Sequence, residues 1–156
     1  MTIYGHGNES FEERQSKSVN LAEELFKDWA NANEIRVYRL GFDEKGERLP
    51  QQHFNLLPQI IRKLPDFVAI GRERRLVEVK GTPRLKKVDY DLLDQRVAWF
   101  GTAQSPFWFA FCFRGQAPIW KTPAEVKALY EQAQDERFEN DGVVYRRLRL
   151  EGEVLG

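Results

Sequence analysis

LPDFVAIGRERRLVEVKG, residues 64 to 81, holds two short apolar runs separated by a cluster of charge. PDFVAIG and LVEVKG read as short apolar strands, and the charged RERR segment, Arg72 to Arg75, reads as the turn between them, so a β-hairpin is expected. Side chains two apart in a strand share a face. Glu78 and Lys80 therefore point one way, and Val77 and Val79 the other. Antiparallel pairing about the turn brings Asp66, at the mouth of the first strand, roughly opposite Glu78 to Lys80.

Outward from the hairpin, helical and extended patterns alternate. Upstream, Phe11 to Ala32 reads as a helix with a Ser10/Glu13 capping box and an apolar stripe of Leu21, Leu25, Phe26 and Trp29. Ile35 to Leu40 reads as a strand, residues 41 to 52 as a loop, and Phe54 to Leu64, broken by Pro58, as a helical insertion. Downstream, Val88 to Phe100 has helical spacing and closes on Gly101. Phe107 to Phe113 lacks alternation and reads as a central strand buried on both faces. Thr122, Pro123 and Glu125 mark the start of a helix running to about Gln134, and NDG at 140 to 142 leads into a last strand, VVYRRLRL. The order α, β, insertion, β, β, α, β, α, β predicts an α/β fold with a mixed sheet flanked by helices.

A chain of 156 residues is the size of one domain, so residues 1 to 156 are expected to form a single core without disulfides. Its only cysteine, Cys112, lies in FWFAFCF and reads as a small core residue, which removes thiol and zinc chemistry. His6 and His53, the only histidines, lie in no metal-ligand spacing. The tryptophans Trp29, Trp99, Trp108 and Trp120 read as core. MTIYGHGNES lacks a basic start and an apolar h-region, and no apolar stretch would cross a bilayer, so a cytoplasmic location without membrane contact is expected. Lysine plus arginine and aspartate plus glutamate both number 24, so whole-chain charge makes no case for a nucleic-acid partner.

Locally the case is different. Two carboxylates forced together in a half-buried sheet repel each other, and a shared cation relieves the repulsion. Oxygen ligands favour a hard divalent ion, Mg²⁺ or Mn²⁺. Such an ion polarises a phosphoryl oxygen and acidifies water, and Lys80 beside it would orient that water or offset charge building on the phosphate. Between Arg72 and Lys87, the cations Arg72, Arg74, Arg75, Lys80, Arg84, Lys86 and Lys87 face only Glu73 and Glu78. Phosphate contacts from such residues supply most of the sequence-independent affinity for DNA. Gln95 is a further candidate polar contact to metal or phosphate. A single E-x-K is ordinarily a solvent-facing alternation with a weak ion pair. Here it is joined to Asp66 and flanked by helices on both sides.

Pro65 and Asp66, followed by Glu78, Val79 and Lys80, resemble the signature of the PD-(D/E)XK nuclease superfamily. The resemblance spans roughly Leu21 to Phe113 and implies a restriction-endonuclease-like αβββαβ core, here with an insertion and an added C-terminal helix and strand. It further implies Mg²⁺ bound by Asp66, Glu78 and the Val79 carbonyl, Lys80 assisting the attacking water, and a further acid from the first helix. Glu23 and Glu24 both lie near that place, and Glu24 is favoured because Glu23 lies across the helical wheel from Leu25. The compact size and the AEELF helix look like archaeal-type Holliday junction resolvases, which act as dimers on branched DNA. The insertion from Gly41 to Leu64 and the C-terminal additions depart from that minimal form. A C2 homodimer would suit a double-stranded substrate. The expectation is a Mg²⁺-dependent DNA nuclease, and the rivals are a non-cleaving DNA-binding or assembly protein on the same fold and an RNA- or single-strand-directed nuclease.

Overall fold

A computed structural model describes residues 11–41 and 50–150, with side chains from residue 20 onward save that of residue 51. The Ser10/Glu13 capping box, most of the 41 to 52 loop and the N-terminal segment with His6 lie outside these described residues or side chains. No helix among them is long and apolar enough to cross a membrane.

The first helix, α1 (Phe11–Ala32), presents Ala22, Phe26 and Ala30 to the interior. These positions are four apart, one stacked over the next along a single face. Leu21, expected in the stripe, is half exposed. The chain leaves α1 through Glu34, whose φ of 59° is left-handed, and enters β1 (Arg36–Arg39). The insertion folds as two single-turn helices, α2 (Gln51–Phe54) and α3 (Gln59–Arg62), on either side of Pro58. The decisive hairpin is β2 (Phe67–Ile70) and β3 (Arg74–Lys80), antiparallel, with Phe67 opposite Val77 and Ile70 opposite Arg74.

After β3 the chain differs from the expectation. The charged RLKK segment contributes a strand, β4 (Arg84–Lys86), because Leu85 is buried and the flanking residues pair with the C-terminal strand. The helix expected over 88 to 100 is two helices, α4 (Lys87–Asp91) and α5 (Leu93–Phe100), joined at Leu92. Its inward face is set by Asp89, Leu93 and Arg96, all buried, whereas Val88 is exposed. Next come β5 (Phe107–Phe111), β6 (Ile119–Lys121) and α6 (Pro123–Gln132). The α6 start is as read: Glu125 N–H donates to Thr122 Oγ1 at 3.1 Å and Thr122 N–H to Glu125 Oε1 at 2.9 Å. Last are β7 (Asp135–Arg137) and β8 (Val144–Arg147).

The main sheet has the order β1-β2-β3-β5-β6, antiparallel throughout except that β3 and β5 run parallel. The α/β class with a mixed sheet between helices is therefore present, and a second sheet, β4-β8-β7, is added to it. Alternation sorts the main sheet's side chains into two cores. Phe67, Ala69, Val77, Val79, Ala110 and Cys112 pack with Ala22 and Phe26 of α1 on one face. Phe107, Phe109 and Phe111 pack with Leu85, Leu93, Val126 and Leu148 on the other. Strand β5 feeds both, which is why its sequence does not alternate. Trp99, expected in the core, is 60% exposed on α5.

Candidate metal centre

Pro65, buried, ends the insertion and sets Asp66 one residue before β2. Extending the register by one step places Asp66 opposite Glu78. Asp66 Oδ2 accepts a hydrogen bond of 2.8 Å from the Val79 N–H. In a strand the N–H and C=O of one residue point to the same side. The Val79 carbonyl is thereby directed toward Asp66, while the next carbonyl, of Lys80, turns the other way and accepts from Cys112 N–H at 2.9 Å.

Glu78 and Lys80 stand on the sheet face opposite Val77 and Val79, level with Phe109 and Phe111 of β5. Both are held in a buried ionic array. Arg96, 2% exposed, donates from one guanidinium nitrogen to Glu78 Oε1 at 2.8 Å and from Nε to the Lys63 carbonyl at 2.9 Å. Its guanidinium also lies 5.1 Å from the Phe107 ring centroid. Lys80 Nζ sits 4.0 Å from Glu78 Oε2 and 4.0 Å from Asp89 Oδ2, and Lys63 Nζ closes on Asp89 Oδ1 at 3.0 Å.

Two carboxyls respond in opposite directions. Asp66 is pushed well above the usual carboxylate range, first because its carboxyl sits out of water and then because Glu78 and Glu23 lie near it. At Asp89 burial acts in the same upward sense, but Lys80 and Lys63 outweigh it and hold the group down to about 2.

The helix acid facing the sheet is Glu23 and not Glu24. Glu23 is 3% exposed and pairs with Arg39 of β1, whose guanidinium covers the Phe67 ring, whereas Glu24 is exposed. One position along the wheel decided this: Glu23 follows Ala22 and precedes Phe26 by three, so it rides the edge of the buried face.

The predicted cations do not form one stripe. Arg72, Arg74 and Arg75 lie at the β2–β3 turn, at the far end of the hairpin from Asp66. Arg75 pairs with Glu73 at 3.1 Å and lies over Trp108. Arg84 and Lys86 belong to β4, where Arg84 covers Tyr145, and Lys87 opens α4 paired with Asp91. Gln95 is exposed on α5, and its neighbour Arg96 is the residue that reaches Glu78. Lys63, Asp89 and Arg96 were not singled out from the sequence, yet a signal existed. Asp89, Leu93 and Arg96 are spaced i, i+4, i+7, so two charges sat on a helix face that also carries a buried leucine.

Among the described residues no three carboxylate, imidazole or thiol groups converge as a cation site. Two carboxylates and a carbonyl remain, which suits a small hard cation that keeps part of its water shell. The unrelieved Asp66 carboxyl supports that fit, because a cation beside it would favour its charged form. No family model, curated protein or solved structure matches the chain.

Proposed function

We propose that this chain is a Mg²⁺-dependent nuclease acting on DNA, with its active site at the Asp66 end of the β2–β3 hairpin. The observation that carries the reading is the placement of Asp66 beside Val79 and opposite Glu78, with Lys80 on the same sheet face as Glu78. With the α2–α3 insertion and the short β4 set aside, the order α1-β1-β2-β3-α4-α5-β5, with β5 parallel to β3, supports assigning the restriction-endonuclease-like fold.

Asp66, Glu78 and the Val79 carbonyl would hold the ion, which when bound supplies a polarised phosphoryl oxygen and a more acidic water. The remaining roles fall to the chain. Arg96 engages Glu78 Oε1 and so leaves Oε2, the oxygen nearer Lys80, as the one turned to the reaction. The Lys80 ammonium lies between Glu78 and Asp89, 4.0 Å from each, and orients the nucleophilic water or meets the developing phosphate charge. Glu23, tied to Arg39, lies on the helix side of Asp66 and adds negative potential there.

A second reading has one observation in its favour. Arg96 and Lys80 already balance Glu78, so the site holds together without a cation, as it would in a DNA-binding protein that does not cut. A substrate panel tests both: supercoiled plasmid, four-way junction, single-stranded DNA and RNA, each with Mg²⁺, Mn²⁺ or EDTA. The nuclease reading expects metal-dependent cleavage of the DNA substrates. Cleavage confined to RNA would reassign the substrate, and binding without cleavage of any substrate would leave the non-cutting protein.

A further inference from the structure

At the other end of the hairpin, and on the α1 side of the sheet, a cavity of about 400 Å³ opens beside Gly71. Its walls are aromatic and aliphatic: Phe26 and Trp29 from α1, Trp120 from β6, and Ile35. The rings are locked edge to face, Trp120 against Trp29 at 6.0 Å, against Phe26 at 5.8 Å and against Trp108 at 6.1 Å. Edge-to-face packing fixes the orientation of the rings that line the cavity.

The mouth is charged. Arg75 lies 4.0 Å over Trp108 and 4.7 Å over Trp120, anchored by Glu73 at 3.1 Å. Arg72 also lines the opening, is exposed, and has no ion pair among the described residues. Arg36 and Arg74, each opposite Ile70 across a strand pair, stand at the same end of the hairpin but on the other face of the sheet. An aliphatic ligand would use the walls and leave Arg72 unanswered. A bare anion would use the guanidinium groups and leave the aromatic walls wet. A planar base carrying a phosphate uses both, by stacking on indole and by pairing with Arg72 and Arg75, and the Glu73 carboxylate offers an acceptor to a base amino group. A paired base within a duplex cannot enter such a cavity without leaving its stack.

We propose that this cavity binds one unpaired nucleotide, its base against Trp29 and its phosphate on Arg72 and Arg75. The site is separate from Asp66, Glu78 and Lys80, so its failure would leave the nuclease reading untouched. It gives the protein a means of favouring single-stranded or branched nucleic acid over plain duplex. The nucleotide comes either from such a strand or from a free mononucleotide.

The test is fluorescence anisotropy of a labelled single-stranded hexanucleotide in EDTA, with unlabelled dAMP and a blunt duplex as competitors. The proteins compared are the wild type, the exposed Arg72→Glu variant and Trp29→Leu, which keeps an apolar wall but removes the π face. Saturable hexanucleotide binding that weakens about tenfold in each variant, with poor competition by duplex, supports the site. Competition by dAMP would then mark the free nucleotide as a ligand, and its failure to compete would mark the strand. Binding that neither variant changes, or that duplex displaces equally well, overturns the proposal. Folding of each variant is checked by circular dichroism, and the surface Arg72→Glu protein serves alone if Trp29→Leu does not fold.

Discussion

At Asp66 the hydrogen bond from Val79 favours the charged carboxylate, but desolvation and the nearby Glu78 and Glu23 outweigh it. A carboxyl whose folded value lies above its unfolded value of about 3.9 destabilises the fold as pH rises beyond the unfolded value. Asp66→Asn keeps an oxygen acceptor for Val79 and removes the charge, so the metal-free variant at pH 7 is expected to be more stable than the wild type, with a higher Tm. Mg²⁺ should raise the Tm of the wild type and leave that of the variant unchanged. Differential scanning fluorimetry with and without Mg²⁺ reads both effects, and a variant less stable than the metal-free wild type would count against the account. Asp89 works with the opposite sign. Its value of about 2 means that it stabilises the fold above pH 4, and that this contribution, about 2 kcal/mol, disappears as pH falls from 4 to 2. Urea titrations across that range should show the loss in the wild type and not in Asp89→Asn. Arg96→Met would leave the Glu78 carboxylate without its closest partner and should cost about 3 to 5 kcal/mol, measured by the same titrations.

Elements were legible wherever a local physical signal was strong. The β2–β3 hairpin followed from two apolar runs flanking a charged turn, and the start of α6 from its capping residues. Thr122→Ala, which removes the hydroxyl that accepts from Glu125 N–H, should destabilise the protein by about 1 kcal/mol in urea unfolding. Strands β4, β6 and β7 have three residues each, too few for alternation to register, and exist because a partner strand lies beside them. The α4–α5 segment was misread for a different reason. Its inward face carries Asp89 and Arg96, and apolar periodicity places such residues in solvent unless their partners, Lys80, Lys63 and Glu78, are already known to be there. The same limit applied to the first helix, where the choice between Glu23 and Glu24 depended on Arg39 of β1. Asp66, Glu78 and Lys80 could be aligned from the sequence because strand alternation and one turn suffice to align them; the charges that surround them come from elements distant along the chain.

For the molecule as a whole, a formal charge of zero conceals two separate cationic regions, one at the β2–β3 turn and one around β4 and the start of α4. Substituting one phosphate-contacting arginine lowers the salt dependence of DNA affinity by about one unit of log–log slope. Arg74→Ala is expected to do so, read from anisotropy titrations across a NaCl series, while leaving metal-dependent thermal stabilisation intact. The sheet carries one core on each face, so the hairpin is supported from both sides while its Asp66 end holds the ionic array. Whether this end is a metal-dependent phosphodiesterase site is decided by the rate of plasmid nicking in Mg²⁺ for the wild type beside Asp66→Asn and Lys80→Met. Nicking by the wild type is expected to be abolished by EDTA and to fall by at least about a hundredfold in both folded variants. Nicking that persists in both variants, or a well-folded wild type that nicks at no Mg²⁺ or Mn²⁺ concentration, would contradict that assignment.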